Sequence, residues 1–290
     1  MQALSPLEVE NINLLRSNGF GYKRIARELA LSPATVFKYS RNFILSDEAM
    51  RAIEEVESRT RSKFAASFAV QKQIKYPIVD ENFANLLGRL FFDGSVNAFH
   101  GKYTISYTNA SLAAVNKFIE NVEICFGIEC GAIQCFKGVN VDWYQVEAYS
   151  KRVYDYLVSI SPTFSTSNNV GIPEQILCSS YLVKAAFLRA FWDDEGCIAD
   201  DGELSGTSKS ERMIDDLIRL HGQLDIKCVK RIKTNPVYGD IFHLVVKRNK
   251  TNFREFIEKV NFEHGIITKG HNIGKHKKHV LVEKFNGIKG

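Results

Sequence analysis

The sequence predicts an α+β fold, a duplicated βαββα unit preceded by a small all-α module. Three observations predict it. An apolar helix ending in an acid and a glycine occurs twice, each copy leads into the same train of strand-like and helix-like segments, and residues 1–45 read as three short capped helices.

At 290 residues the chain has room for more than one core. Apolar residues make up 45% and charged residues 24%, which marks a packed protein and excludes a disordered one. No window approaches the roughly 20 consecutive apolar residues of a membrane span. The start, MQALSPLEVE, lacks a basic stretch followed by an apolar run. No membrane partner and a cytoplasmic location are therefore expected. The net charge of +5 gathers at the two ends. Residues 265–290 hold six lysines and three histidines against Glu283, and residues 1–45 hold six basic residues against three acids. Basic ends lower the cost of approaching a polyanion. The six cysteines form no CxxC pair, so buried thiols are expected in place of a zinc site or disulfides.

The N-terminal module opens at SPLEVENINLLRSNGF, with Ser5 as cap, Pro6 in the first turn and Asn18-Gly19 as the stop. A second helix over Tyr22–Ala30 aligns Tyr22, Ile25, Ala26 and Leu29 on one face. Ser32-Pro33 then opens a third, SPATVFKYSRN. Three short helices with a tight turn before the third predict a helix-turn-helix, a DNA-binding arrangement. Ala34, Thr35 and Lys38 would face bases, Val36 the core, and Arg24, Arg27 and Arg41 phosphates. Residues 46–79 read as a linker, helical to about Lys75. Asp80 is placed to cap the element after the linker.

The internal repeat pairs Asn85–Gly94 (NLLGRLFFDG) with Phe187–Gly196 (FLRAFWDDEG), 102 residues on. The first copy is followed by YTISYTN, SLAAVNKFIENVEICFG, GAIQCF, DWYQVE and KRVYDYLVSI. The second is followed by GELSGTS, ERMIDDLIRLHGQLDI, KCVKRIK, IFHLVVK and NFREFIEKV. This pattern sets repeats over 80–180 and 181–274 and a basic tail over 275–290.

The segments Leu86–Gly94 (LLGRLFFDG) and Leu188–Gly196 (LRAFWDDEG) resemble the two motif copies of the LAGLIDADG homing endonucleases. The resemblance extends over about 82–274. It implies a saddle with pseudo-two-fold symmetry whose two sheets lie in the DNA major groove. The implied activity is site-specific hydrolysis of double-stranded DNA with Mg²⁺ or Mn²⁺, by a monomer with internal pseudo-symmetry. Small residues at the third motif position, Gly88 and Ala190, would let the two helix backbones approach. Gly94 and Gly196 are expected as left-handed caps. Asp93 and Glu195 would end the helices, where the dipole disfavours an anion by roughly 0.3–1 kcal/mol each and the two acids repel each other. Divalent cations would neutralise that liability, so Asp93 and Glu195 are the expected catalytic metal ligands. Asp193 is expected on a polar partner or solvent.

The family also uses a basic residue near the end of each repeat. Lys269, in FEHGIITKGHNIGK, is the candidate; PTFSTSNNVG in the first half has no lysine. That departure leaves open a nicking enzyme or a cleavage-inactive transcription regulator. Strand alternation directs Trp143, Gln145 and Glu147, and His243, Val245 and Lys247, outward to the DNA. VKRIK adds Arg231 and Lys233, basic on both faces.

Overall fold

The computed structural model describes residues 4–56, 74–236 and 239–286. The chain divides into two compact units, residues 1–72 and 73–290.

In the first unit, α1 (Pro6–Ser17) opens on a capping box: Ser5 Oγ accepts from the Glu8 N–H, and the Glu8 carboxylate takes the Ser5 N–H at 2.7 Å. Gly19, at φ +77°, reverses the chain where a Cβ would lie 2.6 Å from Ala52 Cβ. α2 (Tyr22–Glu28) stops before the expected Ala30, which takes a left-handed φ of 52°. α3 (Pro33–Ser40) is capped by Ser32, whose Oγ accepts from the Thr35 N–H. Ile12, Ile25, Ala26 and Val36 form the buried core. α4 covers 47–56, and the next part of the expected linker helix, 57–73, lies outside the described residues. Ile74 and Lys75 are not helical, so the linker does not run as one helix to Lys75.

The second unit is built around α5 (Glu81–Phe91) and α9 (Tyr181–Glu195). Asp80 caps α5, accepting from the Phe83 N–H at 2.9 Å. Gly88 lies against Ala190: a Cβ on Gly88 would fall 2.7 Å from Ala190 Cβ and 3.1 Å from the Phe187 carbonyl. Any larger residue would push the helices apart.

Each motif helix feeds a four-stranded antiparallel sheet. The first contains β1 (Gly94–Phe99), β2 (Lys102–Asn109), β3 (Gln134–Phe136) and β4 (Trp143–Tyr149) in the order β1-β2-β4-β3. The second contains β5 (Gly196–Ile198), β6 (Leu204–Ser208), β7 (Cys228–Asn235) and β8 (Gly239–Val246) in the order β5-β6-β8-β7. Helices α6 (Leu112–Phe126) and α7 (Lys151–Ile160) accompany the first sheet, and α10 (Glu211–Gly222) and α11 (Lys250–Lys259) the second. The repeat is therefore ββαββα after the motif helix; the sequence pattern missed β1 and β5. The segment read as a basic tail instead carries α12 (Lys277–Asn286), whose Lys277, Val280 and Leu281 are buried. The short α8 (Glu174–Leu177) precedes α9.

Gly94 and Gly196 are not left-handed caps. Gly196 sits at φ −71°, ψ 139°, and both glycines begin strands. Their lack of a side chain matters for space: a Cβ would lie 2.7 Å from the Arg89 carbonyl at Gly94, and 2.3 Å from the Trp192 carbonyl at Gly196. The strand folds back directly over the end of its helix, which leaves no room for a methyl group. Among the described residues no helix is long and apolar enough to cross a membrane.

Candidate active site

The tight glycine turns bring Asp93 and Glu195, at the ends of paired helices, to one cavity of about 300 Å³ that Asn109, Asp194, Trp143 and Lys277 also line. Asp93 Oδ2 accepts from Asn109 Nδ2 at 2.8 Å. The Asn109 amide is oriented because its own Oδ1 takes the Ser111 N–H at 2.9 Å, which turns both amide protons toward the acids. The sheet position matching Asn109 is Ser208, and Glu195 takes a longer bond, from Thr207 Oγ1 at 3.4 Å. Burial raises the Asp93 pKa, against the pull of Lys277, Asn109 and Arg89. Burial, followed by the charge of Asp93, pushes Glu195 up to about 7. Two acids that lose their protons reluctantly and repel each other form a site where a cation is missed.

Behind them lies a charge network that the sequence pattern did not signal. Arg89 is fully buried in the first motif helix. Its Nε donates to Asn85 at 2.9 Å, Nη1 to Tyr107 Oη at 2.7 Å and to Asp194 at 3.3 Å, and Nη2 to Asp193 at 3.2 Å. Asp194 Oδ1 also accepts from Tyr107 Oη at 2.6 Å and Asn109 Nδ2 at 3.2 Å, while its buried Oδ2 has no partner. Burial and the neighbouring Asp93 raise the Asp194 pKa well above the ordinary range. Asp193 is 2% exposed; its Oδ1 accepts the N–H groups of Glu263 and Gly265, each at 2.9 Å, and so fixes the chain that leads to Lys269.

Lys277 is the cation that the sequence reading overlooked. It is buried, and its Nζ donates to the carbonyls of Asp193 at 2.6 Å and Trp192 at 3.3 Å. Burial lowers its pKa while Asp193, Asp194, Asp93 and Glu195 hold it up. Within KHKKHV nothing distinguishes it from its exposed neighbours. Lys269 lines the same cavity from an exposed loop.

Among the described residues no group of three or more His, Cys, Asp or Glu side chains could hold a metal. Mg²⁺ needs only one or two protein carboxylates when substrate phosphates complete its shell. The hard oxygens of Asp93 and Glu195, two acids that share one cavity and resist ionising side by side, are of the kind such an ion takes.

The outward-facing residues divide as alternation predicts on β4, where Trp143 is exposed and Val146 and Ala148 are buried. On β8 His243 is half-buried, but Val245, expected outward, is buried at 4%. Lys247 is exposed just beyond that strand. On β7, Lys230 turns to α10, pairing with Glu211 at 2.7 Å and Asp215 at 2.8 Å. Arg231 and Lys233 are exposed, and the register sets Arg231 beside His243. In the first unit Thr35 is half-buried and bonded to Ser32 Oγ at 2.8 Å, while Lys38 and Arg41 are exposed.

Residues 182–261 match the family model described as the LAGLIDADG-like domain. The chain carries a LAGLIDADG-like domain. The match starts in α9 and ends just after α11, so it takes in the second motif helix and its sheet. The chain is 26% identical over 183 residues to a replication factor C small subunit of Methanocaldococcus jannaschii, covering 63% of this chain and 10% of that protein. It is 30% identical over 152 residues to a DNA polymerase of Thermococcus aggregans, covering 52% of this chain and 8% of that protein. The chain thus spans about a tenth or less of these relatives. Among solved structures it is similar to I-DmoI in complex with DNA and Mn, at 16% identity and a TM-score of 0.48, covering 63% of this chain and 97% of that one. Full-length DUF199/WhiA from Thermatoga maritima is similar at 12% identity and 0.48, covering 77% and 67%.

Proposed function

We propose that the chain is a site-specific DNA endonuclease of the LAGLIDADG homing type that hydrolyses phosphodiester bonds with a divalent cation. The observation that carries this reading is the juxtaposition of Asp93, Glu195 and buried Lys277 in one cavity at the ends of the paired motif helices. Asp93 and Glu195 would hold Mg²⁺ or Mn²⁺. When bound, such an ion supplies charge neutralisation at the phosphate and lowers the pKa of water. The protein's own part is positional. Asn109 fixes one Asp93 oxygen. Two Lys277 protons go to carbonyl oxygens, and the third is left for the acids or an incoming phosphate oxygen. Lys269 is a second candidate for that oxygen. The open sheet faces, with Trp143, Gln145, Arg231, Lys233, His243 and Lys247, would lie against duplex DNA. The first unit would add a helix-turn-helix that reads DNA through Thr35, Lys38 and Arg41.

Two observations favour a second reading, a DNA-binding regulator without cleavage. Arg89 already balances part of the acid cluster internally, and among the described residues Lys277 has no cationic counterpart at the end of the first repeat. Incubating the chain with a randomised plasmid library, in Mg²⁺ or EDTA, and sequencing new ends separates the two. Ends at one enriched sequence in Mg²⁺ alone support the endonuclease; enrichment by binding without ends in either condition supports the regulator.

A further inference from the structure

The two sheets have the same strand order but present different chemistry on their open faces. On the first, the register aligns Thr108, Gln145 and Gln134 in one row across β2, β4 and β3. A second row joins Ser95, Ser106 and Glu147, and a third Asn97, Thr104 and Tyr149. Charge on this face is limited to Lys102 and Glu147, which cancel, and Glu147 is occupied by Tyr149 Oη and by Gln145 Nε2 at 3.4 Å. The middle rows of the face carry carboxamides and hydroxyls, with the exposed rings of Trp143 and Phe136 at one end and Phe99 at the other. On the second sheet the corresponding row is Thr207, His243 and Arg231, followed by Ile241 and Lys233. Arg231 and Lys233 are exposed cations at alternate positions of one strand.

Resting on the DNA-binding reading above, we infer that the two halves read chemically different half-sites: adenine-bearing under the first sheet and guanine-bearing under the second. A carboxamide pairs in two-point fashion with adenine N6 and N7 in the major groove, and a guanidinium with guanine O6 and N7. Gln145 and Gln134, side by side, suit adenines on adjacent positions. Arg231 Nη1 rests 2.7 Å from Glu203 Oε2, with the two side chains 58% and 33% exposed, so solvent screens the pair and a guanine edge can replace it. Phosphate neutralisation falls unevenly, and the second half carries more of the salt dependence.

The test is selection of a randomised duplex library by binding to the full chain in EDTA, for the wild type, Gln145→Arg and Arg231→Gln, with thermal melts to establish folding. The expected wild-type site has one adenine-rich half and a guanine in the other. Gln145→Arg should convert an adenine position of the first half to guanine. Arg231→Gln should lower the guanine preference of the other half about tenfold. Two halves with the same preference, or a folded variant that leaves the selected site unchanged, overturn the inference while DNA binding stands. No enriched sequence at all overturns the DNA-binding reading beneath it.

Discussion

Arg89→Met tests the buried network that joins the two motif helices. The substitution keeps the volume roughly constant but leaves Asp193 and Asp194, both at the Arg89 guanidinium, without their shared cation. Removing one partner of a buried ion pair costs about 3–5 kcal/mol, against a typical domain stability of about 5–15 kcal/mol. The structure refines that figure. Asp194 already has a raised pKa and can accept a proton, so the cost should reach its full value at pH 8 and shrink toward pH 5. Urea unfolding followed by tryptophan fluorescence reports this unit alone, because the two tryptophans, Trp143 and Trp192, both lie in it. Arg89→Lys should recover part of the loss, since a lysine restores charge without the fork that reaches both acids. A loss below about 1 kcal/mol, or one equal at pH 5 and pH 8, would refute the reasoning.

Glu195 and His221 should oppose each other in the pH dependence of the metal-free protein. Glu195, pushed up to about 7, makes stability fall as pH rises from about 4.5 to 7, by about 3 kcal/mol in full. His221 is buried and neutral, with its pKa pushed down to about 4; its Nε2 accepts from Trp192 Nε1 at 2.8 Å and its Nδ1 faces the Leu217 carbonyl. It loses stability as pH falls from about 6.5 to 4. Glu195→Gln should therefore steepen the rise in stability between pH 4 and 6.5 in urea titrations. An unchanged profile contradicts the burial of that carboxylate. Gly88→Ala should cost about 1–3 kcal/mol by overpacking, and Ala190→Gly in the same chain should recover part of it despite its own helix penalty. Thermal unfolding of the pair checks this, and additive losses would place the crowding elsewhere. Lys277→Met should reduce cleavage by about 10²–10³ and Lys269→Met by less, because only the former is buried at the acids. The reverse order in single-turnover cleavage would move the cationic role to Lys269.

Much of the fold was legible because local chemistry and pattern agreed. Ser5-Pro6 and Ser32-Pro33 opened helices, and the Gly88 and Ala190 positions met as small residues do at close crossings. β1 and β5 were not legible. GSVNAF alternates only over Ser95-Val96-Asn97-Ala98, with small side chains on the apolar side, and β5 has three residues, so neither gives a run long enough to read as a strand. Gly94 and Gly196 were recognised as necessary for the wrong reason: their positions exclude a Cβ sterically, at negative φ for Gly196. Arg89 was hidden by its place in a largely apolar helix, and its hydrogen-bond partners other than Asn85 are 18 and more residues away in the chain. Lys277 was hidden among lysines of equal chemistry, since burial, which distinguishes it, is a tertiary property. Nothing local in WDDEG marks Asp194 beside Asp193, and the helix pairing buries both side chains.

Asp93→Asn and Glu195→Gln, each assayed on the selected DNA site for cleavage in Mg²⁺ and for binding in EDTA, test whether the paired acids are the metal ligands. Each substitution should abolish cleavage of at least one strand, and binding should stay within about tenfold of the wild type, because phosphate contacts supply most of the affinity. Undiminished cleavage of both strands by the double variant would contradict it.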